Sequence, residues 1–334
     1  MKAIQYLGAN KIEVRDIAMP KLPEGFALVK VSHAGICGTD LNIYAGTHPR
    51  AKAPLVMGHE FSGVLETDTE DMKKGARVTG YPLISCGTCE PCLSGNGHVC
   101  NTLGLYGIDT NGAMAQYTAI PADQLIAIPD ALSFQTGALL EPIAVAVHAL
   151  RETGFTPGDN ALVFGCGTIG LCIALTLRLF GARDILLAET DPARIALAKS
   201  LGFDVADPAK ETLATLVSDR TSQNGFDRVY DCAGVQAVAE TLLDMVRVKG
   251  QIVIVASYKK PPAMPFFKGM AKEVSIHFVR VYRKKDFTIA AQIAVREPLF
   301  DKIITHVLPV DKAQAGFDLL LGKGTGAIKV MFQF

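Results

Sequence analysis

Neither sign of charge is in excess in this chain: 33 lysines and arginines balance 33 aspartates and glutamates over 334 residues. A protein built to bind nucleic acid or an anionic membrane carries a basic surplus, so neither is its main partner. The opening Met1-Lys2-Ala3-Ile4-Gln5-Tyr6-Leu7 has no apolar leader region and no cleavage site, and reads as a strand. The uncharged run from Ala161 to Leu177 falls just short of a membrane span, and Gly165, Gly167 and Gly170 punctuate it. A buried strand, turn and helix account for it better. Internal repeats and low-complexity tracts are absent. These absences leave a soluble, cytoplasmic globular protein.

About half the residues are apolar and a fifth charged, the balance of a folded globular chain. The length exceeds one ordinary core and points to two domains. Residues 1 to about 130 read as short strands, among them Phe26–Val31, Phe61–Leu65 and Ala76–Thr79, with glycine and proline between them. Such a pattern suggests an irregular, barrel-like β domain. Ser133 caps a helix through Leu140, Glu141-Pro142 interrupts it, and an apolar helical stripe resumes from Ile143 to Arg151. Beyond Pro157-Gly158-Asp159, strands at 161–164, 184–188, 228–231 and 251–256 alternate with helices, the pattern of a parallel α/β sheet. From about Tyr282 the alternation weakens, with one last helix at 311–321 and one last strand at 327–332.

Gly165-Cys166-Gly167-Thr168-Ile169-Gly170 fits G-x-G-x-x-G in its informative context, between a buried strand and an apolar helix. The glycines let backbone N–H groups approach a pyrophosphate at a helix N-terminus. Glu189, nineteen residues beyond Gly170, ends the second strand, where a carboxylate accepts from ribose hydroxyls and repels a 2′-phosphate. NAD is therefore expected rather than NADP, although Arg194 nearby could meet a 2′-phosphate.

Four of the eight cysteines crowd into fifteen residues: Cys86, Cys89, Cys92 and Cys100. Four thiolates so spaced enclose one tetrahedral zinc with no open position, a structural site. An iron–sulfur cluster also uses four cysteines, at a different last spacing. A nucleic-acid zinc module would carry basic residues, and none lies between Cys86 and Cys100. A second constellation, Cys37, His59 and Glu60, offers the thiolate, imidazole and carboxylate of a catalytic zinc, and Glu141 adds a further carboxylate. Each alone is equally a buried core residue; jointly, beside a dinucleotide turn and a cysteine loop, they read as a site.

The motifs Gly35-Ile36-Cys37-Gly38-Thr39-Asp40, Gly58-His59-Glu60-Phe61-Ser62-Gly63, the four-cysteine loop, Leu140-Glu141-Pro142, the Gly165 turn and Ile304-Thr305-His306 resemble the zinc-containing medium-chain dehydrogenase/reductase family, in particular its polyol (sorbitol-like) and threonine branches. The resemblance covers essentially the whole chain. It implies an α/β protein: a GroES-like irregular β-barrel catalytic domain of residues 1–141, to which 282–334 return, and an inserted Rossmann doubly wound parallel-sheet domain of 142–281. It implies one catalytic and one structural zinc per chain, NAD, and a homodimer or homotetramer.

Residue by residue, the resemblance makes Cys37, His59 and Glu60 the catalytic zinc ligands, with Glu141 a ligand or a close exchanging neighbour. It makes Asp40 the carboxylate that orients the histidine and Thr39 the hydroxyl that takes the substrate proton. Asp231-Cys232-Ala233-Gly234 and Val255-Ala256, at later strand ends, would line the nicotinamide pocket. The implied reaction is oxidation of a secondary alcohol of a polyol or sugar alcohol, with threonine-like amino alcohols as the alternative. A non-catalytic metal-binding scaffold is the alternative of another class. Two departures stand out. Asn42 occupies the position where many relatives carry a relay histidine, leaving water and ribose hydroxyls, or His48, to carry the proton out. Arg280, Tyr282 and Arg283 lie where the polyol branch keeps substrate-binding Arg and Tyr, without an exact correspondence.

Overall fold

Alternation of apolar and polar residues in Phe26–Gly35 makes a strand whose Ala27, Val29 and Val31 are buried while Lys30 faces out. This strand organises the first of two compact units into which the chain divides, residues 1–144 with 282–334, and residues 145–281. The computed structural model describes residues 1–322 and 324–334.

In the first unit Phe26–Gly35 pairs antiparallel with Glu60–Leu65, Tyr117–Pro121 and Lys329–Gln333. Further strands, Arg77–Gly80, Leu125–Ala127 and Ile304–Pro309, complete a seven-stranded sheet among the described residues. A smaller sheet joins Lys2–Gly8, Lys11–Asp16 and Leu55–Val56. The register sets Gly35 opposite Glu60 on one side and opposite Met331 on the other. The segments holding Cys37, Glu60 and Lys329, far apart in sequence, thereby meet at one end of three adjacent strands.

In the second unit six strands, Asn160–Phe164, Asp184–Ala188, Asp204–Ala206, Phe226–Asp231, Val246–Ile254 and Ser275–Phe278, form a wholly parallel sheet. Numbered by sequence within this unit, their spatial order is 3-2-1-4-5-6, the doubly wound order. Leu162, Val163, Leu187, Val229, Ile252 and Val253 are among the core residues these strands bury. Helices Thr168–Leu179 and Pro192–Ser200 follow the first two strands. The uncharged run of 161–177 is thus a core strand with its helix, and no described helix is long and apolar enough to cross a membrane.

Two expectations need correcting. Glu141-Pro142 does not interrupt the helix: Phe134–Glu152 is continuous, with Pro142 inside it. Proline removes one N–H from the ladder, but Ile143, Ala144, Ala146 and Val147 are fully buried, so packing outweighs the missing bond. Ser133 does cap this helix, its Oγ accepting from Thr136 N at 3.0 Å. The tail is also more regular than its sequence suggests, holding a 13-residue helix, Lys284–Arg296, and the strand Ile304–Pro309.

Candidate active site

The strand Phe26–Gly35 runs out at Gly35, and after Ile36 the chain turns at Cys37 into the short helix Gly38–Tyr44. Asp40 Oδ2 accepts from Cys37 N at 2.8 Å, so a fully buried carboxylate fixes the backbone of the thiol residue. Thr39, half-buried, begins the same helix. Opposite, Gly58 adopts φ +92°, a left-handed conformation, with Met114 where a β-carbon would stand. His59 and Glu60 follow it, both buried. A β-carbon on Gly35 would lie 2.2 Å from Glu60 Oε2, so only glycine leaves room for that carboxylate.

The outcome is convergence: one ligand atom each from Cys37, His59 and Glu60 lie within 4.8 Å of one another. Glu141, nearly buried on the Phe134–Glu152 helix, stays outside that convergence but close enough to act on the charge of His59. Its Oε1 accepts from the hydroxyl of Tyr282 at 2.6 Å.

Charge in this pocket is unevenly compensated. Burial disfavours a proton on His59. The Cys37 thiolate, which is hydrogen-bonded to the ring, outweighs it together with Asp40 and Glu141, and the histidine pKa stands well above its ordinary value. Burial pushes the Glu141 pKa up to about 7, with His59 pulling it down and Glu60 adding to the rise. A field that draws a proton onto an imidazole is also favourable to a dication. Asp40 Oδ1 and His59 Nδ1 are buried without a partner, each a cost of about 1–3 kcal/mol for the protein alone. Soft thiolate, imidazole and carboxylate together suit Zn²⁺, so the residues present fit it.

Sequence reasoning missed Lys329. It is 2 % exposed, and its Nζ donates to Glu60 Oε1 and Oε2 at 2.8 and 2.7 Å and to Ile36 O at 2.9 Å. Burial disfavours its charge, yet Glu60 and Cys37 more than offset this and hold its pKa above the lysine range. The available signal was a single lysine in the apolar segment Ala327-Ile328-Lys329-Val330-Met331. Tyr282 is fully buried rather than presented to a ligand, and Arg280 is exposed. Asn42 is exposed, while His48 is half-buried and its Nδ1 accepts from Arg50 N and Ala51 N.

The cysteine loop gathers Cys86, Cys89, Cys92 and Cys100 with all four sulfurs within 4.8 Å of one another. Three sulfur–sulfur distances are 3.9, 3.4 and 3.8 Å, far beyond a disulfide. A tetrahedron with metal–sulfur bonds of about 2.3 Å has edges of about 3.8 Å, so the spacing fits a four-thiolate ion. Amide N–H groups of Cys89 and Thr102 point at Cys86 Sγ and Cys100 Sγ. The Thr88 hydroxyl and the Thr88 and Cys89 amides lower the Cys86 pKa to about 5, which favours the thiolate.

At the C-terminal end of the parallel sheet, Gly165 (φ +94°) leads into Gly167, the N-cap of the Thr168–Leu179 helix. A β-carbon on Gly170 would lie 1.8 Å from Gly165 O, which is why the third glycine has no substitute. Thr168 and Ile169 open the helix, half-buried. Ala233 N stands 3.3 Å from where a Gly165 β-carbon would be, and Gly234 packs on Ala256. Val255 N and Ala256 N both donate to Asp231 O. These residues share the switch point between the first and fourth strands of the order, the place where such sheets take dinucleotides.

Glu189 is buried there, accepting from Cys166 N at 2.8 Å through Oε2 and from Thr190 N and Asp191 N through Oε1. Arg194 Nη1 lies 3.8 Å from that carboxylate. Asp231, expected to line the nicotinamide pocket, is instead fully buried and accepts from Ala233 N, Gly234 N and the Tyr258 hydroxyl, and so fixes the adjoining turn.

Residues 23–130 match the alcohol dehydrogenase GroES-like domain and residues 168–296 the zinc-binding dehydrogenase domain. The chain is 32% identical to 2-dehydro-3-deoxy-L-galactonate 5-dehydrogenase of Pseudoalteromonas atlantica, over 98% of its own length and 97% of the relative's. It is also 32% identical to L-threonine 3-dehydrogenase of Mesorhizobium japonicum, over 98% of each chain. Among solved structures, an alcohol dehydrogenase from Escherichia coli CFT073 complexed with NADH superposes with a TM-score of 0.92 at 27% identity, covering 100% of this chain and 99% of that one.

Proposed function

The chain belongs to the zinc-binding, GroES-like alcohol dehydrogenase family, and on that premise we propose that it oxidises a secondary hydroxyl of a polyol or sugar alcohol and passes the hydride to NAD. The observation that carries the reading is the convergence of Cys37, His59 and Glu60. Those three would hold zinc and leave one coordination position for the substrate. Zinc bound there supplies Lewis acidity to the substrate oxygen.

The chain's own residues do the rest. Thr39 takes the hydroxyl proton, and Asp40 anchors the Cys37 backbone. A carboxylate has about four lone-pair sites, so Glu60 can serve Lys329 and an ion together. Glu141 faces the same pocket from further out. With Asn42 exposed and His48 turned onto backbone amides through Nδ1, solvent water is the proposed proton exit. The Gly165 turn would hold the pyrophosphate of NAD and Glu189 the ribose. The Cys86, Cys89, Cys92 and Cys100 cage would hold a structural zinc.

The polyol reading is supported by the relative named for dehydrogenation at position 5 of a galactonate-derived chain. A threonine-like substrate is the second reading, favoured by an equal identity to a threonine 3-dehydrogenase. Absorbance of NADH during incubation with a panel of polyols, sugar acids and L-threonine decides between them. Turnover of a polyhydroxylated substrate is expected, with NAD preferred over NADP. Glu189→Ala narrows that preference. Absence of turnover with every member would support the scaffold reading instead.

The cytoplasm is the proposed location, and a homodimer or homotetramer the proposed assembly. Ser275–Phe278 is one of the two edge strands of the parallel sheet, with Phe278 80 % exposed, and Phe266, Phe267 and Met270 are exposed on the Phe266–Lys272 helix. An apolar free edge of this kind favours pairing with a second copy.

A further inference from the structure

A catalytic zinc needs an open coordination position, and this pocket holds one carboxylate more than it can use. With Cys37, His59 and Glu60 as three ligands, Glu141 as a fourth would close the site to substrate. The two glutamates are restrained differently. Glu60 is clamped through both oxygens by the ammonium of Lys329. Glu141 has the neutral hydroxyl of Tyr282 on Oε1 at 2.6 Å.

Tyr282 is itself held from several sides. Its ring is fully buried and meets Tyr81 edge-on at 5.8 Å and Phe287 at 5.5 Å between centroids. Its carbonyl accepts from the Tyr81 hydroxyl at 3.1 Å. The next residue, Arg283, begins the Lys284–Arg296 helix, its N–H donating to Asp286 Oδ2, and its Nη2 donates to Asn96 Oδ1 at 2.9 Å. Asn96 lies in the cysteine loop between Cys92 and Cys100. The phenol therefore stands on a rigid mount, tied through Arg283 to the loop that carries the four cysteines.

We propose that Tyr282 is a positioning residue that tethers Glu141 off the Cys37–His59–Glu60 cluster and so keeps one metal position open for the substrate oxygen. The inference rests on the zinc reading above. Its chemistry is steric and directional: the hydroxyl occupies one oxygen of Glu141, and the buried ring leaves the hydroxyl nowhere else to point. Without the tether, Glu141 is free to close onto the ion.

The test is Tyr282→Phe, which removes one oxygen and keeps the edge contacts, compared with the parent protein in zinc- and cobalt-loaded forms. The tether predicts that kcat falls about 10–100-fold, the range for groups that orient metal ligands. It predicts that chelator extracts the catalytic-site metal more slowly, and that the visible spectrum of the Co²⁺ form shifts as a ligand is added. Introducing Glu141→Gln beforehand should abolish both the chelator and the spectral effects of Tyr282→Phe. An unchanged spectrum and extraction rate, faster extraction, or the same changes in the Glu141→Gln background would each overturn the proposal. Cys37→Ser run in parallel separates the two claims. If that variant keeps the full metal content, the zinc reading itself fails; if it loses the metal while Tyr282→Phe behaves as the parent, only the tether fails.

Discussion

Cys37→Ser should abolish detectable turnover and reduce bound zinc from about two equivalents per chain to about one. Serine matches cysteine in shape, so the backbone of this turn, fixed by Asp40 Oδ2 on Cys37 N, has no reason to move. What changes is the donor. A serine hydroxyl stays protonated near neutral pH, whereas cysteine binds zinc as its thiolate. The remaining equivalent belongs to the cysteine loop, whose four sulfurs are independent of Cys37. Metal analysis of the dialysed variant beside a steady-state assay reads both effects. Retention of two equivalents with full activity would remove Cys37 from the site.

Lys329→Met should destabilise the first unit by about 3–5 kcal/mol, the cost of leaving one member of a buried ion pair without its partner. The side chains of Lys329 and Glu60 are 3 % and 2 % exposed, so water cannot take over the lost contact. Methionine fills most of the lysine volume, which makes the electrostatic loss the dominant effect. The double variant Lys329→Met with Glu60→Gln should recover much of the loss, because no bare charge remains. Urea denaturation followed on the metal-free protein measures both. A shift of the single variant within about 0.5 kcal/mol, the range of ordinary surface substitutions, would show that Glu60 finds compensation elsewhere.

These two residues also mark what the sequence made legible. Cys37 could be found because metal chemistry leaves a local signature: thiol, imidazole and carboxylate among glycines, beside a cysteine loop whose four ligands span fifteen residues. The dinucleotide turn was legible for the same reason, since Gly165, at φ +94°, and Gly170, packed on Gly165 O, answer steric demands set by the strand and helix beside them. Lys329 answers a demand set 269 residues earlier by Glu60, and only the pairing of both Lys329–Gln333 and Glu60–Leu65 with Phe26–Gly35 brings them together.

The resemblance set Tyr282 in the region of a substrate-binding tyrosine without an exact correspondence, and packing against Tyr81 and Phe287 turns it inward onto Glu141. Pro142 carried a strong local stop signal that burial of its neighbours overrides. Local rules therefore recovered the clustered side chains and the turn. The groups that compensate and restrain those side chains depend on non-local packing.

The central claim is direct hydride transfer from a carbinol carbon to NAD at a zinc site. It is tested most directly by supplying the zinc-loaded protein with an accepted polyol deuterated at its reacting carbon and weighing the reduced cofactor by mass spectrometry. The account predicts one deuterium in each NADH formed, in ordinary water. NADH that carries only solvent hydrogen, or carbonyl product formed without NADH, would contradict it.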